Sequence, residues 1–561
     1  MLTQFFQLNV DDETTNWYLY REIPQHYKWC NSAKIWQLRL NHQRVIGRIY
    51  TISPSEGERF YLRILLNHIR RPKSFDHLLM INGIAYPTFK QAAEHHGLLE
   101  HDDSIGQCLL EAATMHMPST LRRLFVTILV YCVPTGVRSL WDGIYPYLIE
   151  DYISTNSMNN MYILNKTLQD INCLLLQHYK NISEYDLPEM TMNLDDNSTV
   201  PKVIQDELSI VTPQKDLNSI ATLNMRSQGR IAIVTATSRI AAILLPSGRT
   251  THSRFKIPLN PEASSVCSIT KQSDLVKLIR RATVIIWDEA IMTNHYAFEA
   301  LNRTLIDITS IDYPFGGKIM VFGNDFQQVL PVVPKDGVQP TIIDEMINVP
   351  TSMAILWNDE ESIVRLLEEI YPDIRNHSFD AEYMISRGII TPRNENVDKL
   401  NEKIIQRFLG ELKVYHSFDK VENDIQNLYQ QEFLNSISPG GMPPHALHLK
   451  VRAPIMLLRN LDPSFDLCNG PRLLCRALND NFIDSEILTG HFKGTRVFLH
   501  RIPLKALENL KFPFEMTHTQ FPVCLSFALM INKSQGQTIP HVGIYLPNHV
   551  FSHGQLYVAL S

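Results

Sequence analysis

Asp288 and Glu289 are the residues of this chain best placed to do chemistry. They follow directly on Val284, Ile285, Ile286 and Trp287, in a segment that reads VIIWDEA. A short continuous apolar run suits a strand covered on both faces. The acidic pair then stands at the carboxyl end of that strand, where open parallel sheets bind ligands. Two neighbouring carboxylates are costly there unless a cation offsets them, and a hard metal ion is the natural one. A strand ending in a solvated acidic turn accounts for this heptapeptide equally well, so the surrounding elements must decide.

Those elements begin at Gly229, where short buried strands start to alternate with helices. RIAIVTAT (230–237) reads as a strand and SRIAAILL as a helix. After VIIWDEA comes an amphipathic helix through Phe298, Leu301, Leu305 and Ile308, then a strand, KIMVFG (318–323), that ends at Asn324 and Asp325. RGIITP (387–392) and VGIYL (542–546) predict a second set of strands, and 448–520, with segments such as RVFLHRIPL, predicts a small β-rich insertion. Strands alternating with helices imply parallel sheets with crossover helices. Residues 1–190 read as mainly helical. Ser55 and Glu58 have capping-box spacing ahead of FYLRILLNHIRR, Thr88 and Gln91 repeat it, Gly97 is a stop signal, and 121–132 forms a further helix. His95, His96 and His101 lie close together, as surface histidines in a loop or as a metal site. Residues 186–228 are polar and proline-punctuated, as linkers are.

Composition sets outer limits. The chain has 561 residues, room for about three or four domains. Its hydrophobic and charged fractions, 44% and 20%, are those of a soluble globular protein. The strongest apolar run, 124–133, is too short to span a bilayer, and the N-terminus has neither a basic start nor an apolar signal core, so a membrane partner is not expected. A net charge of -6 argues against a protein that simply coats nucleic acid, although a local basic channel remains compatible with it. The eight cysteines form no C-x-x-C pair, which suits a reducing compartment, cytosol or nucleus.

Five blocks in fixed order carry more than any one of them: TATSRIAAILLPSGRTTHSRFKIP (235–258), VIIWDEA, GGKIMVFGNDFQQVLPVVP (316–334), IITPRNENVDKLN (389–401) and FALMINKSQGQTIPHVGIYLP (527–547). Together they resemble the Pif family of superfamily-one DNA helicases, and most closely the helicase portion of Helitron transposon proteins. PIMLLRNLDPSFDLCNGPRL (454–473) and VFSHGQLYVALS (550–561) look like that same subgroup, and PSEGERFYLRILLNHIR and NGIAYPTFKQA resemble the region that precedes its helicase. The resemblance implies an α/β fold of two RecA-like P-loop NTPase lobes with parallel sheets, at 191–355 and 380–561. It also implies that the β-rich insert at 448–520 is SH3-like and that a mainly helical region at 1–190 precedes the lobes. It implies ATP and magnesium as cofactors, single-stranded and forked DNA as partners, a nuclear location, and 5′-to-3′ unwinding in DNA repair, recombination, telomere maintenance or Helitron transposition.

By the same resemblance, Asp288 orients the magnesium shell, Glu289 polarises the attacking water, Gln328 senses the terminal phosphate and Arg393 approaches it from the second lobe. Thr235, Thr237, His252 and Ser253 resemble the first lobe's single-strand contacts, and Lys533, Ser534, Gln535 and Thr538 those of the second. Hydroxyls, amides and a lysine suit sequence-neutral contact with phosphates.

One part of the pattern is missing. The family's G-x-x-x-x-G-K-S/T loop wraps backbone amides around the phosphates. Here the only Gly-Lys pair is Gly317–Lys318, followed by Ile319, and no glycine occurs from Ile144 through Gln228. LNSIATLNMRSQGRIAIV (217–234) resembles the tail of the helix that follows such a loop, and SIVTP (209–213) is a candidate for the vacated strand. Arg239 stands where the family has glycine, and the chain stops at Ser561, where the family continues to an arginine that reaches the terminal phosphate. Two expectations follow: an ATP-dependent helicase by family, or a catalytically inactive relic that at most binds single strands. A two-metal nuclease built on Asp288, Glu289 and Asp325 would need ligands that no other segment supplies.

Overall fold

The computed structural model describes most of residues 1–190, 230–323 and 353–560. Outside the described residues lie 40–56, 191–229, 324–352, 422–428, 506–513 and several shorter stretches. Ser55, Gly97, His101, Arg239, Asn324, Asp325, Gln328, Thr538 and the SIVTP segment all fall outside them.

The N-terminal region is mainly helical, as expected, but it has two separate cores. Helices Leu2–Asp11, Glu58–His68 and Phe89–His95 gather around Phe5, Phe6, Leu65, Leu66 and Leu78. Two short antiparallel hairpins that the sequence reading lacked join them, Tyr27–Cys30 with Ile35–Leu38 and Met80–Ile81 with Ile84–Ala85. The N-cap of Glu58–His68 is Gly57, with φ 61 and no side-chain cap. The Glu58 carboxylate instead accepts the Phe89 N–H at 2.6 Å, so it serves the start of a different helix. Thr88 caps that helix as its spacing predicted, its Oγ1 accepting the Gln91 N–H at 3.2 Å. The second core is a bundle of Ser104–Ala113, Pro118–Cys132, Val137–Leu148 and Asn160–Gln177. Phe482 and Phe498, from the β-rich part some 350 residues later, belong to this same core, so the bundle is docked on the second lobe.

Among the described residues the first lobe carries four parallel strands, in the order Arg249–Thr250, Ile231–Ala236, Ala282–Asp288, Ile319–Phe322. Every residue of Ile231–Ala236 is buried, as a strand covered on both faces requires. Helices Asp274–Arg281 and His295–Thr309 cover one face through Leu278, Leu301 and Leu305, while Ala241, Ala242 and Leu245 cover the other. Ile319–Phe322 is the outermost strand on this side among the described residues. Among the described residues no strand pairs with its outer edge, and Ile319, Val321 and Phe322 are 58%, 42% and 46% exposed.

Among the described residues the second lobe has three parallel strands, Ala528–Met530, Arg387–Thr391 and His541–Ile544, with helices Glu360–Ile370 and Asn394–Arg407. Its β-rich part is antiparallel. Five strands run in the order Arg496–His500, Phe482–Ile487, Arg472–Leu478, Pro454–Leu457, Val523–Leu525, and three more in the order Phe418–Val421, Met516–Gln520, Ile502–Lys505. A further pair, Lys413–His416 with Ala446–Leu449, joins them, so strands before residue 448 contribute to this part. One core runs from Ile389 and Leu400 through Leu473, Val497 and Leu504, which makes the β-rich part continuous with its lobe. The result is the expected α/β class: two parallel-sheet lobes with extra β structure in the second. Among the described residues no helix is long and apolar enough to cross a membrane.

Candidate nucleotide and single-strand cleft

Asp288 is the last residue of its strand, and Glu289 turns the chain with φ 52, opening the short 3-10 turn Ala290–Met292. Left-handed backbone is uncommon for a residue with a side chain and is held here by the surroundings. The Ala290 N–H donates to the Gly323 carbonyl at 3.1 Å and the Gly323 N–H to the Trp287 carbonyl at 2.9 Å, so the neighbouring strand end is stitched to the acidic turn. The Glu289 N–H donates to Asp288 Oδ1 at 3.1 Å. A Cβ at residue 323 would lie 2.5 Å from that same oxygen, so the Asp288 carboxylate occupies space that only glycine leaves open. Both acidic side chains are half-buried at the carboxyl end of a parallel sheet. Hard oxygen donors in such a place fit a magnesium ion held partly through water.

Trp287, fully buried, couples this turn to the next strand. Its ring stacks on Phe298 with centroids 4.4 Å apart, and its Nε1–H donates to Thr237 Oγ1 at 2.9 Å. Thr237 also donates its N–H to the Asp288 carbonyl at 3.0 Å and shares a 2.6 Å hydrogen bond with the Thr293 hydroxyl.

Thr237 opens onto a cleft of roughly 440 Å3 between the lobes. Ser238 and Thr250 line the first-lobe side, and Lys533 and Gln535 the other, together with Asn460 and Asn469. Lys533 Nζ donates to Asn469 Oδ1 at 2.7 Å, and the Asn469 N–H donates to Asn460 Oδ1 at 3.0 Å, so the lysine and the asparagine loop form one unit. Burial lowers the Lys533 pKa. A single cation among hydroxyls and amides can hold a phosphate backbone without reading bases. The helical bundle braces the loop from behind: the Tyr131 hydroxyl donates to the Asn460 carbonyl, Arg123 pairs with Asp462, and the Arg123 guanidinium lies 3.8 Å from the Phe465 ring centroid.

Of the residues singled out from the sequence, Thr237, Lys533 and Gln535 meet in this cleft. Thr235 does not reach it: it is fully buried and donates its hydroxyl to the Ile286 carbonyl at 3.0 Å. His252 and Ser253 sit on the short helix Thr251–Phe255 just beyond Thr250. The Ser253 N–H donates to Thr250 Oγ1 at 3.4 Å, and burial lowers the His252 pKa. Ser534 turns inward, its hydroxyl donating to the Ile531 carbonyl at 2.8 Å. Arg393 is exposed at the start of helix Asn394–Arg407, directly after the strand Arg387–Thr391. Ser238, Thr250, Asn460 and Asn469 were missed, although the N-L-D and C-N-G turns of 454–473 carried a signal, since asparagine in such turns bonds local backbone.

Two family models match the chain: PIF1-like helicase over residues 217–376, and the DNA helicase Pif1 2B domain over 432–478. The second coincides with Ala446–Leu449, Pro454–Leu457 and Arg472–Leu478 of the β-rich part. The ATP-dependent DNA helicase RRM3 of Saccharomyces cerevisiae is 25% identical over 418 residues, covering 58% of this chain and 56% of its own. The ATP-dependent DNA helicase PIF1 of Homo sapiens is 25% identical over 297 residues, covering 49% and 44%. The chain thus spans about half the length of the curated relatives it matches. Among solved structures, a Bacteroides Pif1 bound to single-stranded DNA is 25% identical with a TM-score of 0.39, covering 61% of this chain and 83% of that one. A Bacteroides Pif1 in complex with ADP-AlF3 and single-stranded DNA is 24% identical with a TM-score of 0.40 and the same coverage. Two separate stretches in one order, 217–376, which holds the acidic strand, and 432–478 in the β-rich part, thus match models of PIF1-like DNA helicases.

Proposed function

We propose that this protein grips single-stranded DNA, including the single-stranded arm of a fork, in the cleft between its lobes. It is built to move 5′ to 3′ with ATP hydrolysis as the driving reaction. In that reading Asp288 holds the magnesium shell, Glu289 polarises the attacking water, and Gln328 and Arg393 attend the terminal phosphate. The observation that carries the reading is the convergence of Thr237 from one lobe with Lys533 and Gln535 from the other, inside a chain whose relatives are named as DNA helicases. Nuclear DNA repair, recombination, telomere maintenance and Helitron transposition are the settings that the relatives and the 454–473 and 550–561 blocks suggest.

A second observation sets a limit on turnover. The sequence offers no G-x-x-x-x-G-K-S/T loop, and among the described residues no strand pairs with the outer edge of Ile319–Phe322. Without that loop the phosphates lose both a ring of backbone donors and the lysine. We infer that strand binding persists while ATP hydrolysis is slow or absent. Fluorescence anisotropy with labelled oligo-dT should therefore report binding that weakens with salt. DNA-stimulated ATP hydrolysis should be no faster than that of Glu289→Gln. Turnover that Glu289→Gln abolishes would overturn the inference on hydrolysis and leave the helicase reading intact. Absence of any strand binding at low salt would overturn the function itself.

A further inference from the structure

Three histidines from distant parts of the chain meet outside the cleft. His68 ends the helix Glu58–His68, His416 ends the strand Lys413–His416, and His445 directly precedes its partner strand Ala446–Leu449. Ring centroids are 5.2 Å apart for His68 and His416, 5.4 Å for His416 and His445, and 6.0 Å for His68 and His445. One nitrogen from each ring lies within 4.8 Å of the other two. We propose that His68, His416 and His445 form a binding site for a divalent first-row transition ion, zinc being the reference case, that fastens the N-terminal region to the β-rich part of the second lobe.

The surroundings of each ring support ligation. His68 Nδ1 is 2.8 Å from the Ile64 carbonyl one turn back, a contact that needs a proton on Nδ1 and leaves the lone pair on Nε2. A ligating histidine usually has this arrangement, with the other ring nitrogen donating to a carbonyl or carboxylate. His416 Nδ1 is buried and has no hydrogen-bond partner. A buried polar nitrogen without a partner costs on the order of 1–3 kcal/mol, and a bound ion removes that cost. His445 Nδ1 lies 2.7 Å from Ser417 Oγ and 3.6 Å from Asp419 Oδ2, and the Ser417 hydroxyl donates to Asp419 at 2.8 Å. That fully buried carboxylate also takes a 2.5 Å hydrogen bond from His518 Nδ1. Around His445 this is the carboxylate-backed support that tunes ligand basicity in metal sites.

Imidazole donors without an acid among them suit zinc, copper, nickel or iron and not magnesium or calcium. Zinc–nitrogen bonds of about 2.0–2.1 Å place tetrahedral ligand nitrogens roughly 3.3 Å apart, so nitrogens that lie within 4.8 Å of one another must close by up to about 1.5 Å. Both nitrogens of His445 have neighbours without an ion, Ser417 Oγ at Nδ1 and, with the Asn435 amide turned as its other contacts require, the Asn435 oxygen 3.2 Å from Nε2. The ion must displace one of them. Three protein ligands leave a coordination position for water. Because His68 and His416 are 348 positions apart, a shared ion closes a very long loop, the kind of clip that restricts the unfolded chain most.

Cobalt(II) titration of the full chain, stripped with a chelator, tests this without relying on strand binding or ATP turnover. The expected result is one equivalent bound, with the visible bands of four-coordinate cobalt, displacement by equimolar zinc, and a zinc-dependent rise in melting temperature. His68→Gln and His416→Gln should each weaken binding by more than the roughly 10–100-fold seen when an outer partner of a ligand is lost. His448→Gln should bind as wild type, since His448 faces Glu402 at 3.0 Å instead. If His416→Gln unfolds, as judged by circular dichroism, His68→Gln alone decides, because His68 lies at a helix end on a different core. No cobalt uptake by the wild type, or uptake unchanged in His68→Gln, overturns the site and leaves three packed imidazoles.

Discussion

Thr237→Val tests the link between the acidic turn and the strand cleft. Valine keeps the β-branched shape and nearly the volume of threonine, so the end of the strand can retain its geometry. What disappears is one hydroxyl with two partners, Trp287 Nε1 at 2.9 Å and Thr293 Oγ1 at 2.6 Å. Trp287 is fully buried and clamped by its stack on Phe298, so its N–H has no route to water. Stranding a buried donor costs about 1–3 kcal/mol, and the bond to the half-buried Thr293 adds a net of about 0.5–1.5 kcal/mol. The expected loss is on the order of 3 kcal/mol, confined to the first lobe. For a unit of this size each kcal/mol lowers the melting temperature by about 2–4 °C, which makes the drop roughly 6–12 °C. Tryptophan fluorescence during heating should report it as an earlier first transition, and oligo-dT anisotropy at low temperature should show weaker binding, because Thr237 also lines the cleft. Thr235→Val is the internal comparison: it removes a buried bond to the Ile286 carbonyl and should lower stability by about 1 kcal/mol with strand affinity unchanged. A melting shift under about 2 °C in Thr237→Val, or equal loss of strand affinity in both variants, would refute the coupling.

Lys533→Ala should weaken oligo-dT binding and reduce the slope of log affinity against log salt by about 0.7, the contribution of one phosphate contact on a single strand. Gly323→Ala places a methyl 2.5 Å from Asp288 Oδ1, so the carboxylate must leave its hydrogen bond with the Glu289 N–H. Loss of that charge-assisted bond should cost about 1.5–3 kcal/mol in thermal stability, with oligo-dT affinity retained. His500 gives an acid-side prediction: burial chiefly depresses its pKa to about 4, with Arg501 adding to the effect and the Asn481 carbonyl opposing it. A base with a depressed folded pKa binds fewer protons folded than unfolded, so stability is full above about 6.5, falls as the pH drops through the window, and has lost roughly 3 kcal/mol once below about 4. Denaturant melts at pH 7 and pH 4.5 should differ less in His500→Gln than in wild type.

What the sequence could and could not convey follows from the range of the interactions. The acidic strand was legible because burial on both faces leaves a continuous apolar run, and the turn after it because a carboxylate pair can stand only at the strand's end. Thr235 and Thr237 were not separable, since alternation puts residues two apart on one side of a strand. The strand stops at Ala236, and that one boundary sends Thr237 toward Trp287 and the cleft while Thr235 stays inside the sheet. The Glu58 cap failed for a related reason: the local spacing was right, but the acceptor serves Phe89, 31 residues on. Docking of the bundle onto Phe482 and Phe498, and the meeting of His68 with His416 and His445, left no local trace, because each joins residues hundreds of positions apart whose own neighbourhoods look ordinary. The missing phosphate loop is the opposite case, visible from both sides. In sequence it is a stretch from Ile144 through Gln228 without glycine; in the fold, among the described residues, no strand pairs with the outer edge of Ile319–Phe322. Parallel strands are normally covered on both faces and natural sheets protect their edges, so among the described residues this edge has room for a further strand.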